Sequence, residues 1–282
     1  MIRRGRRVVE DVASEAEALP LKAAFAQPAG PGSGGARASR HAGGLPAPIF
    51  AFQPIISLAT GRIFAHEALL RGPAGEEPEE VFARVAEKLR HRFDEQCRIQ
   101  AIERAAALGL REALSVNFMP NALYDPETRI ERTLWAADKH DISFDRIIFE
   151  MTEDERLTDP AHLRRIISAY RAYGFRAAID DFGAGYSGLG LLANLQPDYI
   201  KLDRALVQGL DTDSVRQTIL RGILRVTGEL GIDVIAEGIE TLGERDALAG
   251  LGIDLMQGFL FARPSFDCLV PRAALNGLVE VA

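Results

Sequence analysis

Residues 50–71 read FAFQPIISLATGRIFAHEALLR, and the fold follows from this stretch. Two β-rich runs, 50–56 and 63–70, are separated by six residues, 57–62, that include Thr60-Gly61. A gap so short closes a hairpin and leaves no room for a crossover, so the first two strands are expected to run antiparallel. Downstream, β-rich runs at 114–119, 146–152, 176–181, 199–203, 233–237 and 255–261 alternate with amphipathic stretches at 78–89, 93–108, 131–140, 161–173, 214–230 and 243–251. Eight strands with mostly helical connections predict an α/β fold, a TIM-like (β/α)8 barrel with an antiparallel first strand. Strand order is not written in one sequence, and a doubly wound open sheet fits the same alternation.

Upstream of the hairpin the texture changes. Residues 23–48 are almost all Ala, Gly and Pro, a composition that cannot bury enough apolar surface to offset its ordering entropy. Val8, Val12, Ala16 and Leu19 recur at helical spacing before Pro20, enough for a short marginal helix. The expectation is a disordered, weakly basic N-terminal tail over 1–47 followed by a barrel domain over 48–282.

Charge and composition narrow the function classes. The net charge is −7, yet residues 1–48 carry seven Lys/Arg against four Asp/Glu, so the body is acidic at −10. An acidic body argues against a duplex nucleic-acid partner, because phosphate neutralisation needs Lys and Arg. It suits a phosphate-bearing ligand only when metal ions supply positive charge. No apolar run approaches the roughly 18 residues of a membrane span. The arginines of the first ten residues are followed by no apolar signal core, and a cytoplasmic location is expected. Cys97 and Cys268 are too few and too distant for a disulfide framework or a thiolate metal site.

Barrel active sites form where strands end. Here strand two ends in His66-Glu67-Ala68-Leu69-Leu70-Arg71 and strand three meets Asn117. Strand four meets Glu150 and then Glu153, strand five Asp180-Asp181, and strand seven Glu237, while strand eight carries Gln257. Strand six reads YIKLD, which puts Lys201 and Asp203 on one face. A single Asp or Asn after a strand is commonly a helix N-cap, but glutamate caps poorly and these carboxylates are collected on one rim. Crowded carboxylates repel unless hard cations sit among them, and oxygen donors favour Mg²⁺, Mn²⁺ or Ca²⁺. An Asp-Asp pair invites a bridged two-ion site of the kind that hydrolyses phosphodiesters. The segment 181–188, DFGAGYSG, lacks the lysine and spacing of a P-loop and reads as an active-site loop. His66, adjacent to Glu67, should face the opposite side as a packed histidine.

The segment Glu67-Ala68-Leu69-Leu70-Arg71 resembles the signature of the EAL family of cyclic di-GMP phosphodiesterases, and the likeness extends over residues 50–264. Gln53-Pro54-Ile55, Val116-Asn117, Phe149-Glu150-Met151-Thr152-Glu153 and Ile179-Asp180-Asp181-Phe182-Gly183 match in order, as do Ile200-Lys201-Leu202-Asp203, Ala236-Glu237-Gly238 and Gln257-Gly258-Phe259. The resemblance implies hydrolysis of cyclic di-GMP to linear pGpG by a barrel with an antiparallel first strand. It implies two Mg²⁺ or Mn²⁺ ions held by Glu67, Asn117, Glu150, Asp180, Asp181 and Glu237. Lys201 matches a lysine beside the attacking water, acting with Glu67 and Glu237; Gln53, Arg71, Asp203 and Gln257 match the substrate-binding set. Glu153 matches an anchor of the loop after strand five, through which the family implies a homodimer. A sensor or regulator protein is a further implied partner. Ala184, Gly188 and Gly72-Pro73 depart from the usual family residues, and they bear on the loops, not on the ligand set. The competing reading is a non-catalytic cyclic di-GMP receptor or interaction protein; such proteins usually lack part of the carboxylate set, and here every position is filled.

Overall fold

The computed structural model describes residues 45–119, 126–152, 160–185, 188–275 and 278. The N-terminal tail expectation and Glu153 lie outside the described residues. β1 (Ile49–Ser57) and β2 (Arg62–Arg71) form the expected hairpin, antiparallel from Ile49↔Arg71 to Ser57↔Arg62. Gly61 takes the left-handed conformation (φ 58°) that the tight turn requires. The strands that follow are β3 (Ala113–Asn117), β4 (Ile147–Thr152), β5 (Arg176–Phe182), β6 (Tyr199–Leu202), β7 (Asp233–Ala236) and β8 (Leu255–Met256). They pair in sequence order, each parallel to the last. β1 then pairs antiparallel with β8 as well as β2, which closes an eight-stranded TIM-like barrel and rules out the open sheet.

The helices are α1 (Pro78–Ala83), α2 (Arg90–Ala107), α3 (Pro126–Lys139), α4 (Pro160–Ala172), α5 (Gly188–Leu195), α6 (Arg204–Val207), α7 (Ser214–Leu230) and α8 (Leu242–Gly250). α7 spans the stretch its periodicity predicts, because its ends carry their own signals. Asp213 caps Val215 and Arg216 N–H groups, and Gly231 terminates the helix at φ 71°. α8 opens with a reciprocal capping box between Thr241 and Glu244. The helix expected over 78–89 is broken: α1 ends at Ala83, and a 3-10 turn at Glu87–Leu89 feeds α2.

The strand expected over 255–261 is also shorter, because the chain turns at Gly258. A Cβ at Gly258 would collide with the backbone N, C and O of Ile239, the carbon at 2.7 Å. Only glycine permits that approach, after which the Phe261 and Ala262 N–H groups donate back to Gly258 O. Gly258→Ala should therefore cost about 3 kcal/mol or more, as an overpacked site with no flexible neighbour to yield. Chemical denaturation measures it, and an unchanged midpoint would show that the segment shifts freely. A short β9 (Ser265–Phe266), unforeseen from sequence, pairs with β1 at Ala51 and Phe52.

Period-two alternation divides every strand between two environments. Outward residues, among them Phe50, Phe52, Leu114, Val116, Phe149, Ile179, Ile200 and Met256, join the large core between sheet and helices. Inward, Ile55, Ala65, Ile148, Ala178, Ile235 and Leu255 pack together as the barrel floor, with Ala113 and Tyr199 against them. One more inward step along each strand reaches the rim.

A carboxylate cluster around one lysine

That step is what assembles the site. From Ala65 it reaches Glu67, from Ile148 Glu150, from Ala178 Asp180, from Tyr199 Lys201, from Ile235 Glu237 and from Leu255 Gln257. On β3 Ala113 is followed by Ser115 and then Asn117. β1 runs the other way, so Gln53 precedes Ile55 by the same step. Apolar floor and polar rim are thus a single sequence pattern repeated round a closed barrel.

Lys201 is the centre. Its Nζ lies 2.8 Å from Glu237 Oε1, 2.9 Å from Glu150 Oε2, 3.1 Å from Asp180 Oδ1 and 3.4 Å from Glu67 Oε2, and its side chain is 1% exposed. With Asp181, five carboxylates face one ammonium. The imbalance shows in proton affinities. Burial, then the charge of Glu67, raises the Glu150 pKa well above the carboxylate range. Burial likewise drives Glu237 well up, against the pull of Lys201. Asp181 is pushed up to about 6, by desolvation first and by Asp180 second. Burial also opposes ionisation of Glu67, but the Lys201 charge and a hydrogen bond from Gln257 outweigh it and its pKa falls below the usual value. Lys201 is held protonated, its pKa raised by the surrounding carboxylates in spite of burial.

Neutral groups orient the carboxylates. Gln257 Nε2 donates to Glu67 Oε2 at 2.8 Å and to Gln53 Oε1 at 3.2 Å, and Gln53 Nε2 donates to Ala262 O at 3.0 Å. Asn117 Nδ2 reaches Glu67 Oε1 at 3.4 Å, and Ser115 Oγ donates to Glu150 Oε1 at 2.5 Å. Two consecutive aspartates would ordinarily point to opposite faces of a strand. Here the β5–β6 register shifts between Ile179 and Phe182, and Asp181 adopts φ 54°. This bulge-like distortion at the strand end turns both carboxylates to the rim, and Asp181 N–H donates to Asp180 Oδ1.

Donor atoms of Glu67, Glu150 and Asp180 lie within 4.8 Å of one another, and so do those of Asp180, Asp181 and Glu237. Asp180 belongs to both groups. Such a set fits hard divalent cations: all donors are oxygens, and the carboxylates outnumber the one ammonium among them, leaving negative charge that a cation would neutralise. Metal and protons then compete for the same oxygens. Mn²⁺ affinity, measured by titration calorimetry, is expected to rise as pH passes through about 6, since Asp181 is pushed up to about 6 and holds its proton below that. A pH-independent affinity would contradict this electrostatic account.

The remaining expected residues sit at the periphery. Asp203 caps α6, accepting the Ala205 N–H at 2.8 Å, close enough to Asp181 for its charge to be felt there. Arg71 Nη1 donates to Leu70 O and pairs with Glu77 at 3.2 Å. A cavity of about 510 Å³ adjoins Glu67, Asn117, Asp180 and Asp181 and runs back between α1 and α2 to Phe82, Asp94 and Arg98. His66 faces away from the site as expected, buried, its pKa lowered by desolvation. Ser115 was passed over in the sequence; its i, i+2 relation to Asn117 is the signal that places it inside.

An α/β barrel whose rim gathers acidic side chains round one lysine is the class that fold and site define. The EAL domain model matches residues 44–264, and the chain belongs to the EAL domain family. A c-di-GMP-bound crystal structure of a standalone versatile EAL protein from Vibrio cholerae O395 is 45% identical, covers 79% of this chain and 94% of that one, and superposes with a TM-score of 0.77. The manganese/cy-diGMP complex of Klebsiella pneumoniae BlrP1 is 39% identical with a TM-score of 0.74, over 81% of this chain and 58% of that one. Among curated relatives, the blue light- and temperature-regulated antirepressor BluF of Escherichia coli is 30% identical over 83% of this chain and 56% of its own length. The probable cyclic di-GMP phosphodiesterase PdeN of the same organism is 28% identical over 76% and 43%. This chain spans roughly a third to just over half the length of the curated relatives it matches first. No described helix is long and apolar enough to cross a membrane.

Proposed function

We propose that the protein hydrolyses cyclic di-GMP to linear pGpG with two Mg²⁺ or Mn²⁺ ions at this cluster. The observation that carries the reading is the pair of carboxylate groups sharing Asp180 beside Lys201, every member in place. Glu67, Asn117, Glu150, Asp180, Asp181 and Glu237 would hold the ions. When bound, the ions supply Lewis acidity to the phosphodiester and acidify water. Lys201 orients the attacking water and stabilises charge developing at phosphorus, its position fixed by four carboxylates rather than by solvent. The water oxygen bonds to phosphorus, the bond to the 3′ oxygen breaks, and that oxygen leaves with a proton. Arg71, at the end of β2, offers two parallel donors to a phosphate once it exchanges Glu77 for substrate. Gln53 and Gln257 serve the substrate from beneath: Gln257 Oε1 is buried with no partner among the described residues, an acceptor available to a ligand donor.

The test is anion-exchange analysis of cyclic di-GMP incubated with the purified protein. Conversion to a linear dinucleotide is expected with Mg²⁺ or Mn²⁺, none in excess EDTA, and inhibition by Ca²⁺, whose larger and looser shell misplaces the reacting groups. Full turnover in EDTA would sink the reading. Binding without turnover in Mn²⁺ would instead establish the receptor function, for which the relationship to an antirepressor is the supporting observation. A homodimer through the loop after β5, a sensor or regulator partner and a cytoplasmic location complete this reading; sedimentation of the pure chain tests the first.

A further inference from the structure

We propose that Ser115 is a positioning residue that fixes the orientation of the Glu150 carboxylate, a role that rests on the metal-binding reading above. Glu150 is 0% exposed and Ser115 is equally buried, so no solvent reaches the bond between them. Ser115 points into the barrel from β3, opposite Glu67 on β2 and Ile148 on β4, one inward step below Asn117. Its hydroxyl donates to Glu150 Oε1 at 2.5 Å while Lys201 holds Oε2 at 2.9 Å.

The two oxygens are therefore engaged from opposite sides by different kinds of donor. A carboxylate alone turns readily about its last bond, a broad two-fold torsion. With Ser115 on Oε1 and Lys201 on Oε2, that rotation is stopped, and Oε2 is kept on the side of the ammonium that also meets Glu67 and Asp180. Lysine cannot do this unaided, because its ammonium is shared among four carboxylates and follows whichever moves. Ser115 has one acceptor and a short reach from a strand whose register is fixed by both neighbours. It supplies the orientation that neutral partners commonly give to metal-binding side chains.

The experiment is Mn²⁺ binding by titration calorimetry and by Mn²⁺ electron paramagnetic resonance, on the full chain, for wild type, Ser115→Ala, Ser115→Cys and Ser115→Thr. Loss of the hydroxyl is expected to weaken Mn²⁺ by about tenfold or more in both the Ala and Cys variants. Thr keeps the hydroxyl and is expected to stay within about threefold of wild type. The proposal is overturned if the Ser115→Ala titration superimposes on wild type. It is also overturned if Cys binds like wild type while Ala does not, because the side-chain volume would then be what matters. Should the added methyl of Thr prevent folding, the Ala and Cys pair still decides. Failure of wild type itself to bind Mn²⁺ would bring down the metal reading and this role with it, a result distinct from a variant that matches a binding wild type.

Discussion

Asp180→Asn is expected to lower cyclic di-GMP hydrolysis by about three orders of magnitude or more, with the barrel intact. Asp180 is the residue common to both carboxylate groups, so its loss damages each of two ion sites at once. Metal ions supply several kcal/mol of transition-state stabilisation, and each 1.36 kcal/mol is a factor of ten. The fold should not suffer, because the apolar clusters that close the barrel contain none of the cluster carboxylates. Without metal the cluster carries surplus negative charge, and Lys201 keeps Glu67, Glu150 and Glu237 as partners when Asp180 is neutral. Thermal melting in EDTA should therefore be unchanged or slightly raised, while calorimetry shows Mn²⁺ binding lost or severely weakened. Near-wild-type kcat would show that the cluster is not where the chemistry happens.

Lys201→Met should act on catalysis and on stability together. Removing the ammonium leaves Glu67, Glu150, Asp180 and Glu237 facing one another without a cation, and uncompensated buried charge costs about 3–5 kcal/mol. For a domain of this size that is a fall in melting temperature on the order of 10 °C, measured in EDTA near neutral pH. Glu150 and Glu237 have folded pKa values raised above their unfolded ones, so their destabilising contribution is absent below the unfolded value and grows as pH rises towards the folded one. Acidification should consequently restore part of the variant's stability, and Mn²⁺ should restore it at neutral pH. In turnover, kcat is expected to drop about 10²–10³-fold with a smaller change in KM, the pattern of a group acting in the transition state. A pure KM effect would make Lys201 a binding residue, and a melting temperature insensitive to the substitution would show that the carboxylates re-pair by themselves.

Much of this site is visible in the chain because a closed barrel converts strand periodicity directly into position. Glu67, Glu150, Asp180, Lys201, Glu237 and Gln257 each stand one inward step beyond a floor residue, and that step can be counted without coordinates. The hairpin was equally local: six residues containing Thr60-Gly61 leave one geometry. α7 was bounded by Asp213 and Gly231, whose capping roles are properties of the residues themselves.

Other features needed the assembled structure, because they depend on atoms far apart in sequence. The closure of β1 against β8 joins residues about 200 apart and is what excludes an open sheet. The end of β8 is set by the approach of Gly258 to Ile239, which no local pattern announces. Alternation alone would have sent Asp180 and Asp181 to opposite faces, and the register shift against β6 brings them to one. Likewise Gln53 and Gln257 are seen to hold Glu67, and Ser115 to hold Glu150, only once the barrel has closed. The sequence by itself determined the α/β alternation, the oxygen donors at the strand ends and the lysine among them, since each follows from local spacing and residue chemistry. Tertiary structure decided which carboxylate faces which, which protons they retain and which neutral groups orient them. Those are matters of distance and burial among side chains from different strands, and only packing sets them.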